Sequence, residues 1–224
     1  MYKHFLKRLF DMLLSLMALL VLSPLLIPVC IGLLFTGEHY IFYFQKRIGY
    51  KNRYFNIWKF ATMLKESPNI GTGIYTAKND PRVLPMGSFL RHSKINELPQ
   101  VMNILLGDMS IVGPRPLMDK TFNAYPVHIK EKINNVKPGL TGIGSVVFRH
   151  EEKLLSETKM PLAEFYAKHI APYKGELELW YQDHLTFYTD FMLIFLTAWA
   201  ILKPESNLVY KVFKDLPEKP HLPG

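Results

Sequence analysis

Ser93-Lys-Ile-Asn96-Glu97-Leu-Pro99-Gln-Val-Met-Asn-Ile-Leu-Leu-Gly107-Asp-Met-Ser-Ile-Val-Gly-Pro114-Arg115-Pro116 is the stretch on which the reading of this chain turns. It reads as a short helix followed by a loop. Leu98, Met102 and Leu105 recur at helical spacing, Pro99 falls in a first turn where a missing N–H is tolerated, and Gly107 follows as a stop. Asn96 is then the expected N-cap. A helix start exposes unpaired N–H groups and a positive dipole end, so Asn96 and Glu97 are placed to meet a phosphate or a metal-bound phosphate. Arg115, held between two prolines, is the cation of the loop.

Asn96-Glu-Leu-Pro-Gln100 followed by Gly107-Asp-Met-Ser-Ile-Val-Gly-Pro-Arg-Pro116 resembles the signature of the bacterial sugar transferases, the monotopic polyprenol-phosphate phosphoglycosyl transferases. The likeness continues in Lys7-Arg8-Leu9-Phe10-Asp11, Ser23-Pro24, Gln45-Lys46-Arg47-Ile48-Gly49, Lys59-Phe60-Ala61-Thr62-Met63, Asp80-Pro81-Arg82-Val83 and Lys137-Pro138-Gly139-Leu140-Thr141-Gly142. One departure stands out. Enzymes of this kind carry Asp-Glu where this chain has Asn96-Glu97.

The fold class expected is α/β, mostly helical. The resemblance implies a re-entrant membrane helix-break-helix over residues 1–38, then a cytosolic, membrane-associated domain with in-plane amphipathic helices over 39–215. A flexible, proline-rich tail is expected over 216–224. It further implies the cytoplasmic face of a bacterial inner membrane.

Composition agrees with an anionic partner: the formal net charge is +8 over 224 residues. Nucleic acid, an anionic bilayer and phosphorylated substrates all satisfy charge alone. A single cysteine, Cys30, excludes an internal disulfide and a thiolate zinc site, as suits a reducing, cytosol-facing protein.

No charged residue occurs between Met12 and Phe35, a run of about 36 Å if wholly helical. The run is long for a cleavable signal peptide, and no small-residue cleavage pattern follows it. Against a plain transmembrane helix stand Ser23-Pro24 and Pro28 near its middle. Lys3, Lys7 and Arg8 precede the run, and Lys46, Arg47, Lys51, Arg53 and Lys59 follow it, so both flanks look cytoplasmic. By resemblance, Arg8 contacts a lipid head-group phosphate and Asp11 helps to hold the element.

From Ile41 to Met63, aromatic, β-branched and basic residues mix, and two short strands joined around Gly49 to Arg53 fit them best. Most of the basic residues read as a solvated, membrane-facing patch. Lys59 is set apart only because the family places a phosphate-side lysine in this motif, and Ala61 stands where many relatives have a basic residue. Residues 66–82 form a loop whose Gly71-Thr-Gly73 reads as a turn rather than a phosphate cradle. His92 reads as a surface residue. Residues 121–135 are expected to form a polar amphipathic helix.

Gly139-Leu-Thr-Gly-Ile-Gly-Ser145 permits close backbone approach to a ligand, and Arg149 falls where relatives have a nucleotide-sugar-binding arginine. Relatives often read Gly-Trp-Ala-Gln-Val-Asn-Gly-Arg here, against Gly142-Ile-Gly-Ser-Val-Val-Phe-Arg149 in this chain. Glu151 and Glu152 read as solvated helix-start acids; the sharper reading is that one of them replaces the carboxylate missing at Asn96. Residues 160–184 are helical, with Tyr166, Tyr173, Trp180 and Tyr181 assigned to interfacial membrane packing rather than to nucleic acid. Phe191 to Leu202 is too short to span a bilayer and reads as an in-plane or buried helix. The common hydrolase and nucleotidase motifs are missing from the sequence.

Moving a phosphosugar from a nucleotide to a lipid phosphate breaks a pyrophosphate, whose charge needs Mg2+ and cationic side chains. By resemblance, Glu97 is the metal ligand, Lys59, Arg115 and Arg149 hold phosphates or uridine, and the aspartate of the family's Asp-Glu attacks phosphorus. The substrates implied are a UDP-sugar and polyprenol phosphate. A homodimer is an optional assembly, and no nucleic acid is expected. Asn96 caps a helix as well as aspartate does, but its amide is no nucleophile. Three readings follow: direct attack by polyprenol phosphate, a substitute carboxylate at Glu151 or Glu152, or a non-catalytic or engineered-inactive member that binds nucleotide sugar or partners an active transferase.

Overall fold

The computed structural model describes residues 2–69 and 80–220. In chain order the elements are a π-helical turn Tyr2–Leu6, α1 (Lys7–Leu34), β1 (Phe42–Ile48), β2 (Tyr54–Phe60), α2 (Pro85–His92), α3 (Gln100–Leu106) and β3 (Ser110–Val112). They continue with α4 (Asp119–Asn123), α5 (Val127–Lys130), β4 (Gly139–Thr141), α6 (Ile143–Val147), α7 (Glu151–Glu157), α8 (Leu162–Phe165), α9 (Ala171–Asp183), α10 (Phe187–Leu202) and α11 (Leu208–Val212). This is the mostly helical α/β class that the sequence announces. Gly71-Thr-Gly73 lies outside the described residues.

The chain divides into two compact units. The first comprises residues 1–11, 47–55 and 107–224, and the second 12–46 and 56–106.

Helix α1 passes through both Pro24 and Pro28 without interruption. The break expected at Ser23-Pro24 is therefore not an end of the helix, although each proline still removes one backbone hydrogen bond. At 28 residues it is about 42 Å long, enough to cross a hydrocarbon core. Leu13, Leu16, Met17, Leu20, Val21, Ile27 and Ile31 are exposed along it. A row of bare aliphatic side chains on this scale needs an apolar solvent.

In the second unit, Val29 and Leu33 of α1 pack with Phe60 and Leu90. Strands β1 and β2 form a two-stranded sheet, as expected, with Tyr50–Asn52 turning between them. Helix α3 departs from the sequence pattern. Its buried residues are Gln100, Val101, Asn103 and Ile104 rather than the row Leu98, Met102 and Leu105. The reason is polar: Asn103 Oδ1 accepts from the Trp58 amide at 2.9 Å, and its Nδ2 donates to the Asn56 carbonyl at 2.8 Å. A buried amide that satisfies the backbone of β2 draws its whole helix face inward.

In the first unit, β3 and β4 pair in parallel, Ser110 opposite Gly139 and Val112 opposite Thr141. The helix expected over 121–135 is instead two short helices and a 3-10 turn, Ile133–Asn135. Pro126, between α4 and α5, has no N–H to continue the first into the second. Helices α8 and α9 run on through a π-helical turn, Tyr166–Ile170, as one helical stretch. Its aromatic residues are not interfacial: Tyr173, Trp180 and Tyr181 are buried with Phe148, Ile143 and Leu193 in the main core. Helix α10 starts at Thr186, whose side chain accepts from the Thr189 amide at 3.1 Å. It buries Leu193, Leu196 and Ala200 and exposes Phe187, Phe191, Phe195 and Leu202. Pro217, in the segment read as a tail, accepts a hydrogen bond from the Tyr173 hydroxyl at 3.0 Å.

The base of α1 is tied into the first unit by a buried polar cluster. Lys7 Nζ donates to Asp190 Oδ2 at 2.6 Å and to the Val112 carbonyl at 3.0 Å. Tyr2 donates to the same carboxylate at 2.5 Å and Tyr181 at 2.6 Å. One turn on, Asp11 accepts from the Ser110 hydroxyl at 3.1 Å and the Ile111 amide at 3.0 Å. Removing one partner of such a pair strands the other in low dielectric. Lys7→Met should therefore cost about 3–5 kcal/mol of unfolding free energy, measured by urea denaturation in micelles. A loss below about 1 kcal/mol, the worth of an exposed pair, would show that the cluster is hydrated.

Candidate functional site

Lys59, the penultimate residue of β2, places its ammonium 3.1 Å from Glu97 Oε1. Glu97 closes a 3-10 turn, Ile95–Glu97, that precedes α3 and begins after Lys94 in a left-handed conformation. Asn96 thus lies inside this turn, and the N-cap expected of it is taken by Lys94. A left-handed residue redirects the chain just before the turn, which swings the Asn96 side chain inward. Asn96 is buried, and its Oδ1 has no hydrogen-bond partner among the described residues. An orphaned buried acceptor is costly and asks for a donor or a cation.

The remaining residues named from sequence belong to the first unit. Arg115 is exposed in the loop after β3, and Arg149 is exposed after α6. These loops are pressed together. A Cβ at Gly142 would stand 2.2 Å from the Gly113 carbonyl oxygen, and one at Gly139 would stand 2.1 Å from the Gly113 nitrogen, so only glycine permits the approach.

Arg8 faces a cavity of about 420 Å³ lined also by Lys7, Asp11, Tyr50, Ser110, Asn135 and Lys137. Burial, and then the neighbouring charge of Arg8, hold the Lys137 ammonium below the ordinary lysine range. Three cations, Lys7, Arg8 and Lys137, against the two carboxylates Asp11 and Asp183 leave a positive balance in this lining that favours an anion. Lys137 carried no role in the sequence reading. Its place in Lys137-Pro138-Gly139 was the available signal.

Glu151 begins α7, as a helix-start acid should, but it is not simply solvated. Its carboxylate pairs with the Lys174 ammonium, whose side chain is 5% exposed. Lys174 also lies over the rings of Phe148 and Tyr166, at 5.6 and 6.0 Å. The Glu152 side chain lies outside the described residues.

One turn beyond Lys174 is Glu178, a carboxyl that sequence reasoning passed over. It is 1% exposed. Burial pushes it up to about 8, against the pull of Lys174 and of the nearby Arg115 and Gly144 backbone, and its Oε2 has no hydrogen-bond partner among the described residues. Its only signal was an acid four residues after a lysine on an apolar helix.

The geometry can be set beside known proteins. A family model described as bacterial sugar transferase matches residues 2–204. Undecaprenyl-phosphate galactose phosphotransferase of Salmonella typhimurium is 30% identical over 214 residues, covering 89% of this chain and 41% of that protein. The exopolysaccharide production protein ExoY of Sinorhizobium fredii is 34% identical over 159 residues, covering 65% of this chain and 70% of that protein. UDP-glucose:undecaprenyl-phosphate glucose-1-phosphate transferase of Xanthomonas campestris pv. campestris is 35% identical over 204 residues, covering 88% of this chain and 38% of that protein. The chain thus spans less than half the length of two of these relatives.

Because Lys174 is buried and Glu151 is its carboxylate, Glu151→Gln should cost about 3 kcal/mol, the lower end for breaking a buried pair, since Glu151 keeps partial exposure. Thermal unfolding of the purified variant checks this. An unchanged melting temperature would free Glu151 for a chemical role.

Proposed function

The chain belongs to the bacterial sugar transferase family, and on that premise we propose that it transfers a phosphosugar from a UDP-sugar to polyprenol phosphate. The products are polyprenol-diphosphate-sugar and UMP, as in the first step of a surface glycan pathway. The observation that carries the reading is the Lys59–Glu97 pair next in sequence to Asn96, whose buried amide oxygen has no partner among the described residues, in the segment that carries the family signature. The names of the relatives, which act on undecaprenyl phosphate, support it.

An oxygen of polyprenol phosphate attacks the β-phosphorus of the nucleotide sugar, the bond from that phosphorus to the bridging oxygen breaks, and the oxygen leaves with UMP. Lys59 supplies positive charge at the anhydride, moving off Glu97 to do so. Arg115 and Arg149 are the side chains assigned to phosphate or uridine. Asn96 and Glu97 suit a hard cation: one offers a buried amide oxygen with no donor and the other a carboxylate in the same turn. No group of three or more His, Cys, Asp or Glu is gathered among the described residues, and Mg2+, which keeps its waters and takes one or two carboxylates, needs none. When bound, the ion would neutralise pyrophosphate charge.

Helix α1 is the membrane element. We place both of its flanks on the cytoplasmic face of a bacterial inner membrane, on the support of Pro24 and Pro28 within it and of lysine and arginine at both ends. A second reading, a membrane-bound protein that recognises nucleotide sugar without turning it over, is favoured by Asn96 itself. The amide keeps the turn intact and removes the nucleophile.

Two measurements separate these. With no carboxylate at position 96, UMP should be released only when UDP-sugar, Mg2+ and polyprenol phosphate are present together, and intact-protein mass should show no phosphosugar adduct. An adduct mapped to Asn96 would overturn direct transfer, and silence under all conditions would favour the binding protein. Glu97→Gln should abolish Mg2+-dependent release while leaving the fold. For topology, cysteines introduced near Lys3 and Lys51 should be labelled from the same side of the membrane in intact cells; labelling from opposite sides means that α1 spans.

A further inference from the structure

The chemistry proposed above leaves the stretch Gln45-Lys-Arg47-Ile48-Gly49 unused. Arg47 and Ile48 end β1, and with the turn and the start of β2 they belong to the first unit as residues 47–55. Three bonds seat this hairpin tip on the segment that follows Arg115. The Ile48 amide donates to the Leu117 carbonyl at 2.9 Å, within an antiparallel bridge. Arg47 Nη1 donates to the Pro116 carbonyl at 3.4 Å, and the Tyr54 hydroxyl donates to Asp119 Oδ1 at 2.6 Å. Arg47 accordingly leaves the solvated basic patch: it is half-buried, whereas Lys46, Lys51 and Arg53 are exposed.

Arg115 lies between Pro114 and Pro116, and a proline has no N–H. Each of these two flanking residues can therefore be held by hydrogen bonding only through its carbonyl. The Pro114 carbonyl accepts from the Gly139 amide at 2.8 Å, so the upstream flank is fixed by the backbone of β4. The Pro116 carbonyl accepts from Arg47, a side chain. At 3.4 Å that bond is long, but the 2.9 Å bridge one residue further on holds the same two segments side by side. Both prolines and Leu117 are buried while Arg115 is exposed, so a chain pinned on either side presents one long cationic side chain outward. Arginine suits the downstream flank because it is always charged, and a charged donor holds a carbonyl more strongly than a neutral one.

We propose that Arg47 is a positioning residue: together with the Ile48–Leu117 bridge it braces the downstream flank of the Arg115 loop, and so fixes where the Arg115 guanidinium meets a phosphate. The phosphate part rests on the functional reading above; the brace does not. Fixing the backbone of a long charged side chain beforehand lowers the ordering cost that is otherwise met on binding. Arg47 acts through Arg115, so its loss matters only while Arg115 is there to be presented. A cation that touched the phosphate itself, or acted by its field alone, would matter equally in both backgrounds.

The test uses the full chain in micelles at low salt, with UDP as the probe and with Arg47→Met, Arg47→Lys, Arg115→Met and the double variant Arg47→Met/Arg115→Met. Hydrogen exchange of the Ile48 amide, which is bonded to Leu117, reads the brace directly. It should accelerate about fivefold or more in Arg47→Met, the loss expected for a charge-assisted bond, while the amides of α10 are unchanged. The Kd for UDP should weaken about threefold or more in Arg47→Met, yet by less than about twofold when the same change is made on top of Arg115→Met. Arg47→Lys keeps the charge without the planar fork and should recover less than half of the loss. Unchanged exchange at Ile48 overturns the brace. Equal losses with and without Arg115, or full recovery of UDP binding by lysine, overturn positioning in favour of direct contact or of charge alone. A wild type that binds no UDP while the Ile48 amide responds as expected overturns the phosphosugar reading and the use assigned to Arg115, and upholds the brace. Should Arg47→Met not fold, Arg47→Gln, with a neutral donor on a shorter stem, carries the same exchange measurement and the same cycle.

Discussion

A buried ammonium cannot stand alone, and Lys7 is held by Asp190 at 2.6 Å with the hydroxyls of Tyr2 and Tyr181 closing the same carboxylate. Four side chains from the two ends of the chain thereby share one desolvated charge. The Val112 carbonyl, which accepts from Lys7 at 3.0 Å and lies 3.0 Å from the Tyr181 hydroxyl, brings β3 into the same cluster. An apolar replacement of equal volume would hold α10 as well, but it would not dictate which residue of α1 sits there. The charge does, and it sets the point at which an otherwise featureless apolar helix enters its unit. Asp11, one turn later, repeats the logic with the Ser110 hydroxyl and the Ile111 amide.

From β3 the constraint passes to the loops that carry the arginines. Glycines at 113, 139 and 142 let two backbones approach within distances that any Cβ would forbid. Such contact is stiff, because it is backbone against backbone with no side chain to rotate away. Arg115 and Arg149 are exposed on loops anchored from below. That arrangement suits the binding of a strongly charged group, where the cost of ordering long side chains is lowered by fixing their backbones beforehand.

Three glutamates show how environment divides one chemistry into separate tasks. Glu97, partly exposed and paired with Lys59, stays open to solvent. Glu151 neutralises a buried lysine. Glu178 is sealed off, and burial pushes it up to about 8 against the pull of Lys174. A carboxyl group read from sequence carries no sign of which of these it will be, since burial and the nearest cation decide it.

The sequence by itself determined the family, the long apolar helix, the two-strand element that carries Lys59 and the placement of arginines after Pro114 and Phe148. These are local facts: an uncharged run of 24 residues, two aromatic and β-branched runs around a turn, and short motifs whose order survives in the chain. The tertiary structure decided the rest. Asn96 reads as a cap because Asn caps helices, yet a left-handed Lys94 turns it inward as an orphan acceptor. Met102 and Leu105 read as the buried face of α3, yet Asn103 must reach the Trp58 amide and turns the helix toward itself. Tyr173, Trp180 and Tyr181 read as an interfacial belt, yet their helix is walled in by α6 and α10 and they form the core. In the last two cases a buried polar partner or a packed neighbour distant in sequence outweighed a correct local preference. Backbone groups and charges must be satisfied wherever the fold buries them, and only the assembled chain shows which side chains are near enough to do it.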